Sequence, residues 1–149
     1  MEYSIHLFPD PDPVIFRFAR EQTNRESSMV VAPIHATKEW EVIFNEGQHW
    51  RIGIYRPKYR ARDEIAELEQ HTCPEAFLLL KGELTMLYRD ASGALHEKQL
   101  SKGELVTFSE PHAGFSANLD GVAFVVENAK FETVYTDVTS GQETRRVSV

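Results

Sequence analysis

The chain has 149 residues and a formal net charge of −7. This length fits one domain that buries about two thirds of the surface its unfolded form exposes, so a core can form without a disulfide or metal staple. The acidic charge argues against general nucleic-acid binding, which needs a basic surface. The longest apolar runs, such as FLLL at 77–80, are far shorter than the roughly 20 residues that span a bilayer, which argues against membrane insertion.

The N-terminal part, residues 1–37, is predicted to be irregular. PDPDP at 9–13 is incompatible with a helix interior or a central strand, because proline has no amide proton to donate. VIFRFAREQ, which follows, fits either a short helix or an edge strand. With a single cysteine and no basic segment leading into a long apolar one near Met1, we expect a cytoplasmic protein.

Residues 38–137 are predicted to form a β-barrel. KEWEVIFN and QHWRIGIYR flank the turn-like NEGQ and predict a hairpin. More strand-like segments follow at intervals of about 8 to 12 residues, which is typical of an antiparallel sandwich or barrel. A short helix is possible at DEIAELEQ. Residues 138–149 are expected to be a tail, either mobile or paired as a late edge strand. The prediction is therefore a single all-β domain, residues 1–149.

The stretch EQHTCPEAFLLLKGE contains four polar side chains at alternate positions, namely Glu69, His71, Cys73 and Glu75. Alternate residues of an extended strand share one face, although Pro74 predicts a turn between them. Polar groups that point into a barrel are costly unless they bind a ligand or one another. Spacing alone also allows a surface ion pair.

This stretch resembles the first signature of the cupins. In that signature, histidine, any residue, histidine, three or four residues, glutamate, six residues and glycine follow one another on two adjoining strands. Glu75 and Gly82 match its second half, and His71 occupies the place of the second histidine. Glu69 stands where the first histidine belongs, so the first motif is divergent.

KGELVTFSEPHAGF resembles the second cupin signature. Gly103 opens a strand, Pro111 lies in a turn, and His112 falls in the place of the third histidine. The spacing between Gly103 and His112 is two residues shorter than usual, and Ser116 stands where the signature has asparagine.

The resemblance implies a small single-domain cupin with a double-stranded β-helix, a jelly-roll barrel to which extra N-terminal strands or a short helix are added. It also implies a homodimer. A divalent transition metal (Fe, Mn, Ni, Co or Zn) would be held by His71, Glu75, His112 and Glu69, ligand types that suit these ions. Glu69 is also the candidate general base.

Two function classes follow from this resemblance. The first is a metal-dependent isomerase, lyase or dioxygenase acting on a small sugar derivative or an oxo- or hydroxy-acid. The alternative is a metal-free, non-catalytic module that binds a small molecule. A third possibility, an interaction scaffold, predicts that the histidines are dispensable.

RPKYRAR at 56–62 is a basic stripe in an acidic chain. Arg56 and Arg60 are candidates to bind a substrate carboxylate or phosphate, for which guanidinium geometry is suited. The alternative is a solvated edge strand whose charges and Pro57 discourage aggregation. Cys73 is predicted to be a small buried residue or a wall of the substrate pocket, which would place it against the substrate.

Overall fold

The computed structural model describes residues 15–18, 30–34 and 37–148. The described part of the chain contains thirteen strands and one turn of 3-10 helix at Arg62–Glu64. The strands are β1 (Ile15–Phe18), β2 (Val30–Pro33), β3 (Trp40–Glu46), β4 (Trp50–Tyr55), β5 (Glu67–His71), β6 (Glu75–Lys81), β7 (Leu84–Arg89), β8 (Leu95–Leu100), β9 (Leu105–Phe108), β10 (His112–Phe115), β11 (Val122–Asn128), β12 (Glu132–Asp137) and β13 (Glu143–Ser148).

The strands form two large antiparallel sheets. One has the order β3-β4-β11-β6-β9 and the other β13-β12-β5-β10-β7-β8, while β1 and β2 pair separately. Side chains from both large sheets share one core, in which Phe77 and Val125 of the first sheet pack with Leu84 and Met86 of the second. This arrangement confirms the predicted all-β, cupin-like jelly roll. The predicted hairpin is the β3-β4 pair.

The helix considered at DEIAELEQ is wrong. Only Arg62–Glu64 is helical, and the rest of that stretch leads into β5. Strand β5 pairs with β10 on one side and β12 on the other, and Leu68 is fully buried against Leu87. Pairing on both edges and burial of alternate residues outweigh the local preference for helix.

The two ends of the chain were left open by the sequence. Of VIFRFAREQ, residues 15–18 form an edge strand, and the remainder, like PDPDP, lies outside the described residues. At the C-terminus, where a tail at 138–149 was expected, the edge-strand alternative applies, since β13 pairs with β12. Within the described ranges, no helix is long and apolar enough to cross a membrane.

The chain changes sheets twice within the predicted motif. Residues 72–74 carry it from β5 in the six-stranded sheet to β6 in the five-stranded sheet, and Gly82 returns it to β7. Gly82 has a φ of 69°, and a Cβ there would collide with the carbonyl of Asp120. The glycine of the motif is therefore needed for both its backbone conformation and the close approach of the Asp120 loop.

Leu84→Ala should lower the free energy of unfolding by about 2–5 kcal/mol, because it leaves a cavity in the core shared by the two sheets. Leu84 is 0% exposed, whereas Leu105 is 62% exposed. The matched control Leu105→Ala should therefore change stability by less than about 0.5 kcal/mol. Urea unfolding of both variants measures the difference, and equal effects would contradict the assignment of the core.

Candidate metal centre

Strand β5 places Glu69 and His71 on the face opposite to Leu68, because side chains alternate along a strand. The strands that pair with β5, namely β10 and β12, place further side chains next to Glu69 and His71. Glu69 is paired in register with His112 of β10 and with Tyr135 of β12, and His71 is paired with Thr133. The second and third histidines of the predicted motifs therefore lie close together, with ring centroids 6.1 Å apart.

Glu75 reaches the same point from the opposite sheet. Because Pro74 lies in the crossing between the sheets, the segment is not one straight strand, and Glu75 does not share a face with Glu69 as simple alternation would have it. Its Oε1 atom contacts His71 Nε2 and lies 3.9 Å from His112 Nε2. Cys73 is buried in the crossing and, within the described part of the chain, joins no cluster of possible metal ligands.

The hydrogen bonds of the two imidazoles orient their Nε2 atoms toward Glu75. His112 Nδ1 donates to the backbone carbonyl of Glu110 at 2.8 Å. A carbonyl can only accept, so the neutral ring carries its proton on Nδ1 and presents a lone pair at Nε2. His71 Nδ1 is 2.8 Å from the hydroxyl of Thr133, which fixes the orientation of that ring.

The buried atoms at the centre are acceptors without donors. Glu75 and His112 are 4% and 2% exposed. Neither Glu75 Oε1 nor His112 Nε2 has a hydrogen-bond partner among the residues that the structure describes, although Glu75 Oε1 contacts His71 Nε2. A buried acceptor that lacks a partner costs about 1–3 kcal/mol. A cation between these atoms would remove that cost, so the residues present fit a metal ion.

The surroundings keep both imidazoles neutral. Burial, with smaller contributions from His112 and Arg51, lowers the pKa of His71 to about 3. Burial also lowers the pKa of His112 to about 4. The His112 ring stacks on Phe108, with centroids 4.9 Å apart and planes at 20°. The Nε2 lone pair of His112 is therefore available to a metal at neutral pH without loss of a proton, and so is that of His71 in the tautomer whose Nδ1 donates to the Thr133 hydroxyl.

Glu69 differs from the two imidazoles because its carboxyl group changes its protonation state near neutral pH. Burial and then the nearby carboxylates of Glu39 and Glu127 raise its pKa to about 7, against the effect of Lys58 and of a hydrogen bond with Tyr135. A carboxyl group that titrates near pH 7 can both donate and accept a proton.

Glu127 of β11 also belongs to the centre and was missed by the sequence analysis. Two overlapping groups have ligand atoms within 4.8 Å of one another: one is Glu69, His71 and His112, and the other is His71, Glu75 and Glu127. Glu127 is 5% exposed. The available signal was a single charged residue at a buried position of the apolar strand VAFVVEN, two residues after the buried Val125.

A polar pocket of about 70 Å³ opens beside Glu69 and His112. Its other lining residues are Glu39, Tyr55, Lys58, Tyr59, Glu67, Ala113, Tyr135 and Arg145. The predicted substrate-binding residues Arg56, Arg60 and Cys73 are not part of the described lining, and Arg60 instead donates to the carbonyl of Ala117. The cations at the pocket are Lys58, paired with Glu39, and Arg145, paired with Glu67.

No protein-family model matches the chain, and no curated protein is significantly similar to it. Among solved structures it is similar to HppE in its cobalt(II) form with substrate, at 17% identity and a TM-score of 0.49, covering 60% of this chain and 50% of HppE. It is also similar to the DMSP lyase DddQ from Ruegeria pomeroyi, at 16% identity and a TM-score of 0.47, covering 72% of this chain and 49% of DddQ.

A third similar structure is a sugar phosphate isomerase of the cupin superfamily from Silicibacter pomeroyi, at 15% identity and a TM-score of 0.46, covering 72% of this chain and 76% of that protein. The chain spans about half the length of HppE and DddQ. At these identities the likeness concerns the fold alone.

Acidification from pH 6.5 to 4.5 should destabilise the metal-free protein. Unfolded histidines protonate near their ordinary pKa of 6.5, whereas folded His71 and His112 stay neutral down to about 3 and 4. Glu69 acts in the opposite sense, because its folded pKa of about 7 exceeds the ordinary 4.5. For these three groups the unfolded chain binds about one proton more than the folded chain, so stability falls as the pH is lowered.

Thermal unfolding midpoints across this pH range measure the effect. The difference between wild type and His112→Asn isolates one imidazole, and the variant should lose stability less steeply on acidification. The same change at the exposed His49 should leave the wild-type slope. A His112→Asn slope equal to that of the wild type would contradict the burial of a neutral ring.

Proposed function

We propose that this protein is a metal-dependent enzyme that acts on a small polar molecule. The observation that carries the proposal is the convergence of His71 Nε2, Glu75 Oε1 and His112 Nε2, of which the last two are buried acceptors without a partner in the described residues. Because the imidazoles are neutral and Glu75 can only accept when ionised, a cation is the chemically matching occupant.

In this proposal His71, Glu75 and His112 hold a divalent ion of the group Fe, Mn, Ni, Co and Zn. Such an ion acts as a Lewis acid toward an oxygen of a bound substrate. Glu110 and Thr133 orient the imidazoles through their Nδ1 atoms, and partners of this kind raise the affinity of histidine for metals. The Phe77 and Phe108 rings exclude water from the His112 side.

Glu69 is the proposed proton-transfer group. It lines the pocket beside His112, and a carboxylate at this place can take a proton from a substrate and return it. A side-chain hydrogen bond between Tyr135 and Glu69 holds the Glu69 carboxyl group in its position at the pocket. This arrangement suits proton abstraction next to a carbonyl, as in isomerase or lyase chemistry on a sugar derivative or an oxo- or hydroxy-acid. Dioxygenase chemistry uses similar ligands.

The specific observation that favours the alternative, a metal-free binding module, is Glu69 itself. The carboxylate stands where the cupin signature has its first histidine, and the pocket lining contains groups that hydrogen-bond small polar molecules without a metal. This alternative leaves the buried acceptors of Glu75 and His112 without a partner in the described part of the protein. We therefore rank it second.

The metal content of the protein tests the proposal. Wild type purified without chelators or a histidine tag should carry a transition metal at near-stoichiometric amount, and His112→Ala should lose it because one of three ligands is removed. The exposed His49→Ala is the matched control and should retain the wild-type content. A wild type that carries no metal and takes up neither iron, manganese, nickel, cobalt nor zinc contradicts the metal-dependent function.

Glu69→His distinguishes the two candidate functions. If the centre binds metal, an imidazole at this position should slow the loss of metal to a competing chelator, with an affinity gain of about tenfold, or about 1.4 kcal/mol. If the pocket works without metal, the variant and wild type should be equally metal-free under the same loading conditions. Elemental analysis after timed chelator treatment gives the comparison.

A further inference from the structure

We propose that Glu127 is an additional metal ligand, supplied by β11 and held in position by Arg51. The inference rests on the proposed function, in that it requires a metal at His71, Glu75 and His112. It extends the centre to a residue that belongs to neither motif. The carboxylate of Glu127 has an oxygen within 4.8 Å of the ligand atoms of both His71 and Glu75.

Glu127 has the coordination capacity that the role requires. Its hydrogen bond with Arg51 runs from Nε to Oε1 at 2.7 Å, and Glu127 is 5% exposed. A carboxylate offers about four lone-pair directions on two oxygens. One bond to Arg51 therefore leaves the group able to bind a cation as well.

The independent observation is the pair of orphaned acceptors beside Glu127. Glu75 Oε1 and His112 Nε2 are buried with no hydrogen-bond partner within the described ranges, and His71 Nε2 contacts Glu75 Oε1. A buried ion pair between Arg51 and Glu127 would by itself need nothing from these atoms. A cation between His71, Glu75 and Glu127 gives Glu75 Oε1 a partner, and His112 Nε2 lies 3.9 Å from that same oxygen.

The charge balance also fits a divalent ion. Among the described residues at the centre, Glu75 and Glu127 with Arg51 carry a net charge of minus one, and Glu69 adds a second negative charge when it is ionised. Burying uncompensated charge is costly, since the solvation that water provides is lost. A divalent cation neutralises the set, whereas three carboxylates without Arg51 would leave an excess negative charge.

Arg51 is fixed well enough to act as a positioning residue. Its guanidinium lies 4.9 Å from the ring centroid of Phe131 and 5.7 Å from that of Trp40. The Phe131 ring also contacts the His71 ring, with centroids 4.5 Å apart. One aromatic side chain thus packs against both the arginine that holds Glu127 and the imidazole that shares the metal with it.

The additional ligand changes which metals the centre prefers. Two imidazoles with two carboxylates form a set richer in oxygen than the three histidines and one glutamate of the cupin signatures. Carboxylate oxygens suit harder ions, so manganese(II) and iron(II) are favoured over copper(II) relative to a histidine-rich centre. Cobalt(II) serves as a spectroscopic probe because its visible absorption depends on the number and type of ligands.

The test is a titration of the metal-free protein with cobalt(II), followed by visible absorption and by competition with a chelator. Glu127→Gln keeps the size of the side chain and an oxygen that accepts from Arg51, but it removes the charge and weakens metal binding. We expect the dissociation constant to rise at least about tenfold and the absorption spectrum to change. Glu132→Gln, at an exposed glutamate paired with Arg146, is the matched control and should behave as wild type.

Thermal unfolding of the metal-free variants shows which of them fold. The cobalt(II) spectrum then separates a metal ligand from a purely structural partner of Arg51. If Glu127→Gln does not fold, Glu127→Asp keeps the charge but shortens the side chain, and the same rise in dissociation constant is expected. Wild-type affinity, or a weaker affinity with an unchanged spectrum, overturns the ligand role while leaving the proposed function intact. A wild type that binds no cobalt overturns both the proposed function and the role of Glu127. If His112→Ala loses cobalt binding while Glu127→Gln keeps it, only the role of Glu127 is overturned.

Discussion

The structure of the centre depends on the crossing between the two sheets at residues 72–74. Strand β5 ends with His71 in one sheet and β6 begins with Glu75 in the other. The two side chains therefore meet across the interior, where water is excluded and where acceptors without donors are costly. An ion that binds only the folded state would be coupled to stability, because it removes this cost and binds little to the unfolded chain. Folding and occupancy of the centre are then linked through the same few atoms.

The groups around the imidazoles make the centre rigid before any ligand binds. His112 is held by the Glu110 carbonyl through Nδ1 and by the stacked Phe108 ring, while His71 is held by Thr133 and by Phe131. Rings fixed in this way lose little further conformational freedom on metal binding. Pre-organisation of this kind is a general route to higher affinity. The polar atoms that face the ion and the apolar rings that exclude water thus act together.

Much of the fold and part of the centre were predictable from the sequence. Alternation and turn residues located the β3-β4 hairpin, and the resemblance to the cupin signatures brought His71, Glu75 and His112 into one hypothesis. Glu127 and Arg145 were out of reach, because their relation to the site depends on strand order in space, whereas Lys58 belongs to the basic stripe that the sequence singled out. The basic stripe at 56–62 lies between the end of β4 at Tyr55 and the 3-10 turn that begins at Arg62, so it is not part of a named strand. Neither Arg56 nor Arg60 lines the described pocket.

The centre has two unlike sides, and this difference gives the divergent motif a physical reading. On one side Glu69 opens on the polar pocket with a pKa near 7. On the other side Glu127 is buried and accepts a hydrogen bond from Arg51, whose guanidinium lies beside the rings of Trp40 and Phe131. Under the proposed function, a carboxyl group in the place of the first histidine costs the metal one imidazole but provides a proton-transfer group where the substrate enters. The Glu127 carboxylate, on the buried side, then replaces as a metal ligand the imidazole that is missing at position 69.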